Sequence, residues 1–183
     1  MINIKKINLY HLEYQLKDYV ITSFGLMKSR PALILELIDK NNNIGLGEIW
    51  CNFPSDGASY KFKLFKNIFV NKLINLNIND PKDLIKIFKS VKKIFIQSDD
   101  LGSYNSILSA IDCALWDLLA KKKNKPLNKF INRNSGKNIE IYASGINPNS
   151  AIKSILEARN LGIKSFKIKT GFNNKLDIKL IEK

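Results

Sequence analysis

Cysteine, histidine and arginine are scarce in this chain of 183 residues: two cysteines, one histidine, and arginine only at Arg30, Arg133 and Arg159. Cys51 and Cys113 are too few for a disulfide framework and lack metal-ligand spacing, which fits a reducing compartment. Only five prolines and nine glycines occur, so collagen-like and low-complexity architectures are excluded. No run of about 18 apolar residues is present to form a membrane-spanning helix. Residues 1–12 lack both the apolar core and the small-residue cleavage site of a secretory signal, so the expected location is the cytoplasm and no membrane partner is expected. Acidic side chains are also few, 16 against 30 Lys and Arg, giving a net charge of +14.

What is there reads as globular: 45% hydrophobic, 10% aromatic and 25% charged residues. The positive charge raises the question of nucleic acid, since cations that neutralise phosphates release counterions. Yet arginine, the better residue for bidentate phosphate and base contacts, is nearly absent, while lysine accompanies abundant isoleucine and asparagine. That combination suggests an AT-biased coding sequence, a solvated lysine surface, and no nucleic-acid partner.

Apolar residues roughly alternate over residues 2–9, and segments 31–38 and 44–49 flank a polar turn, predicting an antiparallel sheet. Segments 59–76 and 81–95 carry apolar residues at three- and four-residue steps and predict two amphipathic helices. Residues 103–122 hold the widest apolar stripe, from Ile107 to Leu119, before the lysines 121–123 and Pro126. A short helical turn is expected at 127–131. The pattern then changes to strand 139–143, helix 151–161, strand 165–170 and helix 173–183, a parallel crossover unit.

In the second crossover strand, period-two alternation puts Lys167 and Lys169 on one face. Inside a barrel their mutual repulsion and desolvation favour a neutral amine on one of them, a general base. The tripeptide is weak by itself, because Lys61-Phe-Lys63 and Lys123-Asn-Lys125 have the same form. Its position at the C-terminal end of a crossover strand, where barrels build their sites, gives it weight. His11 lacks an evident partner and reads as structural, while the five-residue spacing of Asp112 and Asp117 does not stack them on one helix face.

Four ordered motifs carry a family resemblance. Ala110-Ile-Asp-Cys-Ala-Leu-Trp-Asp-Leu-Leu-Ala-Lys121, followed by Pro126-Leu127, resembles the helix signature of the mandelate racemase and muconate lactonizing enzymes of the enolase superfamily. Gly162-Ile-Lys-Ser-Phe-Lys-Ile-Lys-Thr-Gly171 resembles that family's catalytic strand, and Gly45-Leu-Gly-Glu48 and Tyr142-Ala-Ser-Gly145 match in order and spacing. The resemblance implies an α+β capping domain, antiparallel sheet followed by helices, at 1–132, and the first βαβα units of an incomplete (β/α)7β TIM-like barrel at 138–183.

It also implies a reaction that begins by removing the proton α to a carboxylate, with Lys169 as base and Lys167 tuning it and contacting the substrate carboxylate. The family's Mg2+ then holds the enediolate, through carboxylates on three later strands that this chain lacks. Two capping-domain loops are expected to choose a small carboxylate substrate, with acid sugars among the candidates: the segment with Ser23 and Phe24, and the segment with Trp50, Cys51 and Asn52. For Cys51 an idle buried thiol is the plainer expectation.

Racemisation, epimerisation, acid-sugar dehydration and cycloisomerisation all share the first step. A closed barrel takes about 250 residues, so the expectation is a truncated and, by itself, inactive chain. The alternatives are half of a split enzyme completed by another chain, or a non-catalytic interaction module. Open strand edges favour a homo-oligomer or a complementing chain.

Overall fold

A computed structural model describes residues 1–22, 25–74, 76–136, 138–171 and 173–182. The chain forms two compact units, residues 1–16 with 29–135, and residues 17–28 with 136–183. No helix among the described residues is long and apolar enough to cross a membrane.

A four-stranded sheet has the order β3-β2-β1-β4, built from β1 (Ile2–Thr22), β2 (Gly25–Asp39), β3 (Ile44–Ile49) and β4 (Asn77–Ile78), of which residues 2–16, 29–39, β3 and β4 belong to the first unit. β2 and β3 pair antiparallel from Leu33 with Ile49 to Ile38 with Ile44. Alternation then buries Leu33, Leu35, Leu37 and Asp39 on one face. β1 runs well past the expected end at residue 9. Beyond it the large apolar side chains Tyr10, Leu12, Tyr14 and Tyr19 are all exposed, so no buried face gives a readable alternation. β4 has two residues, too few for any period, and pairs Ile78 with Ile2.

The helices cover the buried face of the sheet. α1 (Gly57–Leu64) passes through a π-helical turn at Phe65–Phe69 into α2 (Val70–Leu73). The segment expected as one helix at 81–95 is instead three pieces: a 3-10 turn at Pro81–Asp83, α3 (Leu84–Ile87) and α4 (Lys89–Gln97). Asp80 caps the first by accepting from the Lys82 amide at 2.9 Å. Phe65, Phe69, Phe88, Phe95 and Tyr104 form an aromatic cluster with ring separations from 5.3 to 6.4 Å.

α5 (Leu101–Lys122) lies against β3 so closely that glycine is required there. A Cβ on Gly45 would sit 2.0 Å from the Ala114 carbonyl oxygen, and one on Gly47 2.0 Å from that of Ala110. Asp117 on the same helix accepts from the Leu46 amide at 2.9 Å, which satisfies a donor on the free edge of β3. Lys121 reaches both Asp117 and the Ile44 carbonyl, at 2.7 and 3.1 Å. The short α6 (Leu127–Ile131) follows, and Phe130 meets Trp116 edge to face.

In the second unit β5 (Tyr142–Ile146) and β6 (Ser165–Ile168) pair parallel, joined by a 3-10 turn at Pro148–Ser150 and α7 (Ala151–Asn160). α8 (Asn174–Ile181) follows. The first strand therefore lies C-terminal to the expected 139–143. Register against β6 decides this, pairing Tyr142 with Ser165 and Ile146 with Ile168, whereas Ile139 and Ile141 stay exposed.

Two substitutions check this packing. Gly47→Ala forces backbone of α5 away and is expected to cost about 3 kcal/mol, a drop of roughly 5–10 °C in Tm, while Gly102→Ala in open space is neutral or stabilising. Equal melting of the two variants in calorimetry would contradict the close approach.

Asp39 tests the β2–β3 turn. Burial pushes its carboxyl up, but hydrogen bonds from Asn43 and Asn41 and the charge of Lys122 more than offset this and hold it below the usual range. A depressed folded value gives stability that is present above the unfolded pKa and lost as pH falls through the folded one. The stability gap between wild type and Asp39→Asn in urea melts is therefore expected to shrink on acidification below about pH 4.

Candidate functional site

Lys167 lies in β6 and is exposed; Lys169 lies one residue past the strand and is half-buried. Phe166 and Ile168 are the less exposed residues of the strand, which keeps the two-residue alternation. The Lys169 amide donates to the Ile146 carbonyl at 2.9 Å, which extends the pairing beyond Ile168 and fixes the backbone that carries the side-chain amine. β5 reaches the same end through an irregular register between Ala143 and Ile146, where Gly145 has φ +79°.

Sequence reasoning missed Asp177. This carboxylate is 8% exposed, and its Oδ2 accepts from the Gly171 amide at 2.8 Å, holding the turn that follows Lys169. Gly171 has φ +90°, a conformation that favours glycine. An Asp in the first turn of α8 reads in sequence as a complement to the helix dipole, which hides its link back to the strand end.

In the first unit, the loop after β3 carries Trp50, Cys51 and Asn52. Trp50 is 52% exposed, its ring 6.3 Å from that of Phe53; Asn52 is half-buried. Cys51 belongs instead to the hydrophobic core at 2% exposure. Burial pushes its thiol up, only partly countered by a hydrogen bond from the Leu33 amide and the charge of Lys61. A cleft of about 440 Å³ beside the loop is lined by Trp50, Phe53, Tyr60, Lys61, Asp100 and Ser106, among others. The Tyr60 hydroxyl donates to Asp100 at 2.8 Å. Ser23 and Phe24, the other expected loop residues, lie outside the described residues.

The profile of the mandelate racemase / muconate lactonizing enzyme N-terminal domain matches residues 6–132. The chain belongs to this family. The helix segment 110–121 and the hairpin glycines that carry the resemblance are here one physical contact, the main-chain carbonyls of Ala110 and Ala114 against Gly47 and Gly45. The chain is 26% identical to the N-succinyl-L-Arg/Lys racemase of Bacillus cereus, covering 98% of this chain and 47% of the racemase. It is 27% identical to the o-succinylbenzoate synthase of Geobacillus stearothermophilus, covering 82% of this chain and 38% of the synthase. A solved mandelate racemase/muconate lactonizing enzyme from Bordetella bronchiseptica superposes with a TM-score of 0.84 at 27% identity, over 98% of this chain and 46% of that one. The chain thus spans less than half the length of these relatives.

Enolase-superfamily enzymes generally use Mg2+. Among the described residues no three His, Cys, Asp or Glu side chains gather where a metal ion could be held, so these residues do not fit a magnesium centre.

The two thiols give a direct check on the loop. Under native conditions a thiol reagent such as DTNB is expected to label exposed Cys113 and spare Cys51, with the second equivalent appearing only in denaturant. Two fast equivalents from the folded chain would show that Cys51 is open to solutes.

Proposed function

We propose that this chain contributes the lysine base of an enzyme that removes the proton α to the carboxylate of a small substrate. The observation that supports it best is the position of Lys169. It stands half-buried at the C-terminal end of a parallel strand pair, tied to Ile146 through its amide, where α/β folds build their sites. On this reading the parallel β5-α7-β6 unit opens a (β/α)7β barrel, and residues 1–132 form the capping domain.

The chemistry follows from the two amines. The Lys169 amine accepts the α-proton and becomes an ammonium, and the electron pair left on carbon delocalises into the carboxylate. An α-proton beside a carboxylate is so weakly acidic that the new charge must be met by cations. Lys167, two residues earlier and within β6, supplies one at the carboxylate. The remaining stabilisation must come from groups outside the described residues.

Similarity to the racemase over 98% of the chain supports an N-acylated amino acid as the substrate class and racemisation or epimerisation as the outcome. Acid-sugar dehydration and cycloisomerisation share the same first step. Trp50 and Asn52 are the loop side chains that would meet the substrate, with Cys51 anchoring the loop from beneath.

A chimera tests this reading. The 183-residue chain alone, in D2O with Mg2+, is expected to show no α-proton exchange on N-succinyl-lysine. Replacing the matching half of the Bacillus cereus racemase with this chain should restore exchange, and Lys169→Met in the chimera should lower it about 10²–10⁴-fold. Undiminished exchange in that variant would rule Lys169 out as the base; exchange by the chain alone would overturn the need for outside groups.

A further inference from the structure

Lys61 is the one buried lysine among the described residues, at 5% exposure, although it belongs to a Lys-x-Lys tripeptide of ordinary surface composition. A lysine is rarely buried unless its ammonium is matched. Here no carboxylate forms an ion pair with it among the described residues. Its partners lie in the loop and on α5: the Trp50 carbonyl oxygen at 2.7 Å, the Ser106 hydroxyl at 3.3 Å, and the face of the Trp50 ring at 5.0 Å.

The surroundings make these contacts matter. The Trp50 ring is half-exposed, and the cleft of about 440 Å³ opens beside it, so apolar packing holds Trp50 on only part of its surface. A charge-assisted hydrogen bond to a carbonyl, combined with a cation over the indole of the same residue, fixes both the backbone and the ring orientation of Trp50. Ser106 in turn donates to the Gly102 carbonyl at 2.8 Å, which ties the lysine's second partner to the first turns of α5.

We propose that Lys61 is a positioning residue that latches the loop at residues 50–54, setting the backbone and indole of Trp50 from beneath. The proposal rests on the reading of that loop as a substrate-facing wall for its functional meaning, but the latch is testable without any turnover. Desolvation lowers the Lys61 pKa, opposed by the charges of Cys51 and Asp100, so its ammonium is lost at a lower pH than that of a solvated lysine. The titratable groups facing it are Cys51 and, around the cleft, Tyr60, Asp99 and Asp100.

The experiment uses the full chain carrying Trp116→Phe, so that Trp50 is its one tryptophan. Acrylamide quenching and the emission maximum report its accessibility. Lys61→Met is expected to raise the quenching constant and shift emission to the red while far-UV circular dichroism is retained, and Lys61→Arg is expected to restore both. In the protein with Lys61, quenching should rise reversibly as pH increases through the lysine's titration. Lys61→Arg keeps Cys51, Tyr60, Asp99 and Asp100 in place, so a transition absent from it belongs to Lys61. Should Lys61→Met fail to fold, the pH comparison decides alone. Unchanged Trp50 quenching in folded Lys61→Met, or the same pH transition in Lys61→Arg, would overturn the latch. Absence of proton exchange in the chimera would count against the enzymatic reading and leave the quenching result standing.

Discussion

The first unit depends on one close approach, that of α5 to β3. Two glycines remove the side chains that would hold helix and strand apart, and the helix presents the main-chain carbonyls of Ala110 and Ala114 in the gap. From that contact the helix buries Ile107, Ile111, Leu115 and Leu118 in the core and brings Asp117 to the open edge of β3. The loop after β3 starts within a few residues of the contact, so the path of Trp50 is set where backbone freedom is least.

Polar groups then fix what apolar packing leaves free. Asp39 organises the β2–β3 turn from a buried position, Asp117 and Lys121 close the strand edge, Asp177 holds the turn after Lys169, and Lys61 holds Trp50. Each joins a side chain to a main-chain amide or carbonyl. A buried polar group left unmatched costs more than a matched one contributes, so such side chains select one backbone course over its neighbours.

Much of the first unit is legible in the residues alone. The helix over 103–122 is readable because a stripe repeated over many turns accumulates evidence, and the hairpin because two strands bracket a short polar turn. The parallel unit is visible as strand, helix, strand, although its first strand is displaced toward the C-terminus. Periodicity fails where an element is too short, as in β4, or where no face is buried, as in the outer part of β1. It also fails at the breaks around Phe65–Phe69 and Phe88, where the aromatic cluster overrides helical regularity.

By itself the sequence determined the composition class, the order of elements and the motifs by which the family is known, because these depend on residue type and local spacing. Only the tertiary structure decided which of several look-alike lysines is buried, which of two cysteines is closed to solvent, and which aspartates hold backbone. Lys61 and Lys167 occupy the same tripeptide pattern, yet one is enclosed between a loop and a helix while the other faces solvent. Burial is a property of what packs against a residue from distant parts of the chain, and no local pattern encodes it.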